Sequence, residues 1–155
     1  MIVNRIRIFF SLKMTTKMLL IEAYILLAWA RLIKILPFSK AVPYLGVSMK
    51  ETSFSYNDGD LKLIRDVSFA INVMSRYTFW ESMCLVKAIA GMRMLEKRKV
   101  ESTIYLGTGK DGDGKMIAHA WLRSGPFFLT GAEEMSRFTV IGKFSKKNSI
   151  VSEGN

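Results

Sequence analysis

Trp80-Glu-Ser-Met-Cys84-Leu-Val-Lys-Ala-Ile-Ala-Gly-Met-Arg-Met-Leu95 and, further along, Met116-Ile-Ala-His119-Ala-Trp-Leu-Arg123 decide how this 155-residue chain folds. In the first stretch Leu85, Ile89, Met92 and Leu95 recur at helical spacing. Ala88, Ala90 and Gly91 are small, which lets the backbone of that helix approach a sheet closely. Glu81 and Ser82 stand where a helix is capped, so Cys84 falls in its first turn. Thiolates at helix starts are stabilised by the positive end of the helix dipole. The second stretch alternates like a strand. Ile117, His119, Trp121 and Arg123 share one face; Met116, Ala118, Ala120 and Leu122 share the other. Cys84 is the only cysteine of the chain and His119 the only histidine.

Outward from these two stretches, Ser102–Gly107 reads as a strand, and Lys110-Asp-Gly-Asp-Gly-Lys115 as the turn that joins it to the histidine strand. Phe127–Thr130 and Phe138–Phe144 read as further antiparallel strands. The Asp-x-Asp-Gly of the turn begins like a calcium loop, but the last ligand position falls on Trp121 or Leu122, so no metal is expected. No glycine-rich phosphate loop is present, and no cofactor is expected. Upstream, Asn57-Asp-Gly-Asp60 breaks the chain. Leu61–Arg76 then predicts a helix with Leu61, Ile64, Val67, Phe69, Ile71 and Met74 as its apolar contacts.

Residues 1–36 are basic and then apolar. Arg5, Arg7, Lys13 and Lys17 precede the run Met18–Ala30, and Arg31 and Lys34 follow it. A membrane span needs roughly 20 apolar residues; this run is shorter, and Glu22 interrupts it. Ala28-Trp-Ala30 imitates the end of a secretory signal, against which Glu22 again counts. The stretch therefore reads as one long helix that buries a broad face against the body or a partner, with a peripheral membrane contact as the alternative. Pro37 and Pro43 are expected to end it and to make residues 37–46 a hinge.

Half of the chain is hydrophobic, and 23 Lys and Arg against 13 Asp and Glu leave a formal charge of +10. The length fits one core with a helical extension. A single cysteine excludes an internal disulfide framework and fits a reducing compartment. The positive charge suits an acidic peptide or an anionic membrane, whereas no base-reading motif accompanies it, so nucleic acid is not expected. The layout is an N-terminal helical extension over residues 1–50, an α+β core over 51–146 and a flexible tail over 147–155.

A cysteine at a helix start followed by a histidine on a later strand is the order of papain-like and transglutaminase-like cysteine enzymes. A core cysteine and a structural histidine are the alternative. The wording of three stretches bears on the choice. Cys84-Leu-Val-Lys-Ala-Ile-Ala-Gly91, Ser102-Thr-Ile-Tyr-Leu-Gly107 and Ala118-His-Ala-Trp-Leu-Arg-Ser-Gly125, with Met74–Trp80 upstream, resemble the lasso peptide biosynthesis B2 proteins. The resemblance is strongest from about Trp80 to Gly131. It implies a transglutaminase-like/papain-like core, a cysteine-bearing helix packed on a small antiparallel sheet. It further implies a cytoplasmic cysteine peptidase that removes the leader from a lasso peptide precursor. Cys84 would be the nucleophile and His119 its base and acid, with Trp80 and Trp121 as walls. A separate leader-recognition protein and an ATP-dependent lasso cyclase would be its partners. In the family a strand after the histidine carries an acid that orients the imidazole. Here that place reads Thr130-Gly131, so the third member is open: Glu133 and Glu134 lie just beyond, and a solvent-facing turn is their other reading. An acyl transferase, or a non-catalytic helper that binds a membrane or a partner, remain the alternatives in function.

Overall fold

The computed structural model describes residues 2–78 and 83–148. The helices are α1 (Ile2–Ser11), α2 (Met14–Ile35), α3 (Phe38–Leu45), α4 (Asp58–Met74) and α5 (Cys84–Lys97). The strands are β1 (Val47–Ser48), β2 (Ser102–Lys110), β3 (Met116–Ser124), β4 (Phe127–Thr130) and β5 (Thr139–Lys146), with a 3₁₀ turn over Ala132–Arg137. The strands form one antiparallel sheet in the order β1-β5-β2-β3-β4. The fold is α+β, as the alternation and helical periods require.

α5 lies on the sheet, and its small residues set the distance. A Cβ added at Gly91 would come within 2.7 Å of Leu122 Cδ2, so the helix rests directly on β3. Ala88, Ile89, Ala90, Met92 and Leu95 are buried with it. Ile64, Val67, Ala70 and Ile71 of α4 and Leu20, Ala23, Leu27, Ala30 and Ile33 of α2 belong to the same apolar cluster. Residue 50 is therefore no break in the core, because α2 and α5 bury their faces together.

Several expectations change. Residues 1–36 form two helices, not one. α1 ends where Leu12 N–H turns back to Phe9 O (3.2 Å) and the Ser11 hydroxyl to Ile8 O (2.7 Å), and it buries no residue, whereas α2 has a core to follow. Residues 37–46 are not a hinge but mostly α3, with Pro37 as N-cap and Pro43 inside the helix. An eight-residue helix has few ladder bonds for an interior proline to remove, and Ala41 and Leu45 anchor it in the core. Phe69 of α4 is exposed rather than packed, since Ala70 and Ile71 take the inward positions. Of the expected tail, residues 149–155 lie outside the described residues.

Candidate active site

Cys84 is the first residue of α5 and is partly exposed. Met83 is the N-cap, and no side chain caps the helix; the expected caps, Glu81 and Ser82, lie outside the described residues, as does Trp80. Among the described residues no side chain accepts from the backbone N–H groups of this first turn, and a helix N-terminus is an electropositive end suited to a developing oxyanion. Lys34 of α2 reaches this end, its Nζ 2.7 Å from Met83 Sδ.

His119 lies on β3 opposite Gly107 of β2. Its Nε2 is 2.8 Å from the backbone oxygen of Gly131. A carbonyl only accepts, so Nε2 carries the hydrogen, and in the neutral ring Nδ1 is the basic nitrogen. Gly131 holds φ +75°, and a Cβ there would meet Ala120 O at 2.5 Å, so glycine alone lets this carbonyl swing to the ring. The strand position that carries no carboxylate in the sequence thus supplies a backbone oxygen instead. Glu133 and Glu134 sit exposed in the 3₁₀ turn, and Glu134 lies 3.7 Å from Arg137; neither is among the bonds to the imidazole.

An aromatic row holds the ring in plane. Phe138 stacks on His119 (centroids 4.9 Å apart, 28°), Trp121 flanks it at 5.8 Å, and Tyr105 stacks on Trp121 at 5.7 Å and 13°. Gly107 makes room, because a Cβ there would lie 2.9 Å from both Phe138 and Trp121. At the far end of the row Arg123 is fully buried. Its guanidinium donates to Tyr105 Oη (2.8 Å), to the carbonyls of Thr52 (2.8 Å), Ser53 (3.1 Å) and Gly125 (2.5 Å), and to Glu51 Oε1 (3.2 Å), and it stacks 3.8 Å over Phe54. Tyr105 in turn donates to Glu51, which also accepts from Lys143 at 3.0 Å. The Tyr105 hydrogen bond, with Lys143 and Arg123, holds the Glu51 carboxyl below its usual 4.5. Burial, then the bond to Glu51, pushes the Tyr105 phenol up to about 12.

Gly91 packs on Leu122, and nearer the helix start Leu85 and Ile89 share a cavity of ≈ 130 Å³ with Leu106, the partner of Ala120. The N-terminus of α5 therefore points toward the end of β3 that carries His119. The pleat turns His119 away from Leu106, Ala120 and Leu122, and among the described residues no hydrogen bond joins Cys84 Sγ to the imidazole. The two residues share one end of the sheet without a direct bond.

Three parts of this site escaped the sequence: the Gly131 carbonyl, Phe138, and the Arg123–Glu51 pair. The Gly107-x-Gly109 spacing inside a strand was the one available signal, since strand glycines mark a close approach. In the 110–115 turn, Asp111 Oδ1 accepts from the N–H of Asp113 (3.0 Å) and of Lys115 (2.8 Å), so this carboxylate serves the turn itself.

In a comparison with known families, the family model described as the transglutaminase-like superfamily matches residues 23–143. No curated protein and no solved structure matches the chain.

Proposed function

This chain belongs to the transglutaminase-like superfamily, and on that premise we propose that it is a cysteine peptidase that removes the leader from a lasso peptide precursor. Superfamily membership supports cysteine peptidase or acyl-transferase chemistry; the choice of hydrolysis and of a lasso precursor rests on the resemblance of the stretches around Cys84 and His119. The observation that carries the reading is the His119–Gly131 hydrogen bond, which leaves Nδ1 as the free base.

In this mechanism Nδ1 of His119 takes the proton of the Cys84 thiol, and the resulting thiolate attacks the scissile carbonyl carbon to form a C–S bond. First-turn N–H groups of α5 receive the oxyanion. As the C–N bond breaks, the imidazolium gives its Nδ1 proton to the leaving amine. His119 then takes a proton from water, whose oxygen attacks the thioester and releases the acid and the thiolate. The core peptide, freed with its amine, passes to an ATP-dependent lasso cyclase. The protein works in the cytoplasm with a separate leader-recognition protein.

The test is cleavage of a matched precursor, with and without the recognition protein, read by mass spectrometry. Native chain with its partner cleaves at one bond, and Cys84→Ala does not. A folded Cys84→Ala variant that cleaves at the native rate overturns the peptidase reading. Equal rates with and without the recognition protein overturn the partnership.

A further inference from the structure

More than half of the large apolar side chains that the described residues leave exposed lie before residue 39. On α1, Ile2, Val3, Ile6 and Phe10 gather on one arc. α2 is apolar on two opposite sides. One stripe, Leu20 to Ile33, is buried in the core; the other, with Met14, Met18, Ile21, Ile25, Leu32 and Ile35 at helical spacings of three, four and seven, faces out. An open groove between α2 and α4 extends this surface to Phe69. Apolar helices normally hide such a face, and exposed patches of this kind mark an interaction surface.

Charge says which kind. Residues 1–50 carry eight Lys and Arg and a single acid, Glu22; the remaining residues are nearly balanced, with fifteen against twelve. Glu22 is itself occupied by Arg98 (2.7 Å) and Lys97 (3.1 Å) of α5. A second copy of the chain would set this excess of cations against its own like, which is unfavourable. Phosphate headgroups would neutralise it.

We propose that α1 and the outer face of α2 form a docking surface for an anionic lipid membrane. The helices lie in the headgroup plane with the apolar stripe inward and Arg5, Arg7, Lys13 and Lys17 at the phosphates. α2 lies on the bilayer and does not cross it. Its inner stripe is locked in the core, and among the described residues no helix is long and apolar enough to span.

The full chain is co-sedimented with vesicles of phosphatidylcholine alone and of phosphatidylcholine mixed with phosphatidylglycerol, at low and high salt. The expected result is binding to the mixed vesicles that high salt abolishes. Arg7→Gln with Lys13→Gln should weaken it about 30-fold, near the free energy of two surface cations. Ile6→Glu with Phe10→Glu should abolish it while the circular dichroism stays native. Equal binding to both vesicles, or none, overturns the proposal. So does a lipid-independent dimer in ultracentrifugation that Ile25→Glu dissolves, which would assign the face to a second copy. Loss of recognition-protein affinity in these variants, without vesicle binding by the native chain, overturns it in favour of a protein partner. Cys84→Ala should bind vesicles like the native chain, so failure here leaves the peptidase reading standing.

Discussion

Beneath α5 the sheet presents Ile104, Leu122 and Phe144, hydrocarbon that meets the small residues of the helix. On the other face Tyr105, Trp121, His119 and Phe138 form a stacked row that ends on a buried arginine. The first face works by volume: it fixes how near the helix bearing Cys84 lies, and any apolar side chain of the right size would serve. The second works by direction. Hydrogen bonds and ring planes there decide which nitrogen of His119 is free, and no change of size can imitate that.

The largest effect expected falls at the end of the directional face. His119→Ala should lower leader cleavage about 10³-fold, the usual share of a general acid–base, with thermal unfolding near native; an active variant would make the row merely structural. Next comes Arg123→Met, which leaves the carbonyls of Thr52, Ser53 and Gly125 without their donor. A loss of about 3 kcal/mol is expected in urea unfolding. A matching loss from Leu122→Val on the hydrocarbon face would erase the contrast, since one methylene there should cost about 1 kcal/mol.

Gly131→Ala tests the substitute for the missing acid. The left-handed backbone and the clash with Ala120 O should cost about 1–3 kcal/mol of stability and lower kcat more than they raise KM, because the carbonyl leaves Nε2. Unchanged kcat would separate the Gly131 bond from catalysis. Smaller still, Glu133→Gln and Glu134→Gln should each stay within about tenfold, under ~1.4 kcal/mol of barrier; a larger fall in either names that glutamate as the orienting acid. The least effect is spectroscopic. Tyr105 is raised in the folded state from 10.0 to about 12, so its contribution is complete below about pH 10 and is lost as pH climbs through 12. Phenolate absorbance should show Tyr105 titrating late, and Arg123→Met should make that step later still, because the guanidinium favours the phenolate while burial and Glu51 oppose it.

The hydrocarbon face was the legible one. Leu85, Ile89, Met92 and Leu95 announce their helix, and Met116 to Arg123 their strand, because burial on one side imposes a period. Of the directional face, the alternation put His119, Trp121 and Arg123 on one side of their strand but not the groups that they meet. Arg123 and Glu51 lie far apart in the chain and meet only after folding, and a backbone carbonyl at Gly131 has no side chain to read. The helical break after Ser11 and the continuation of helix through Pro43 were hidden for a related reason: which segments find a core to pack on is a tertiary fact that overrides local preference.

The pairing of Val47 with Ser145 bears on the order in which the chain folds. β2 and β3 close over the short turn between Lys110 and Met116, whereas β1 and β5 must close almost a hundred residues. On a logarithmic loop-entropy scale that difference is roughly 2.5 kcal/mol against early formation. The β1–β5 contact is then a late clasp: disrupting it should speed unfolding and leave the refolding rate nearly unchanged.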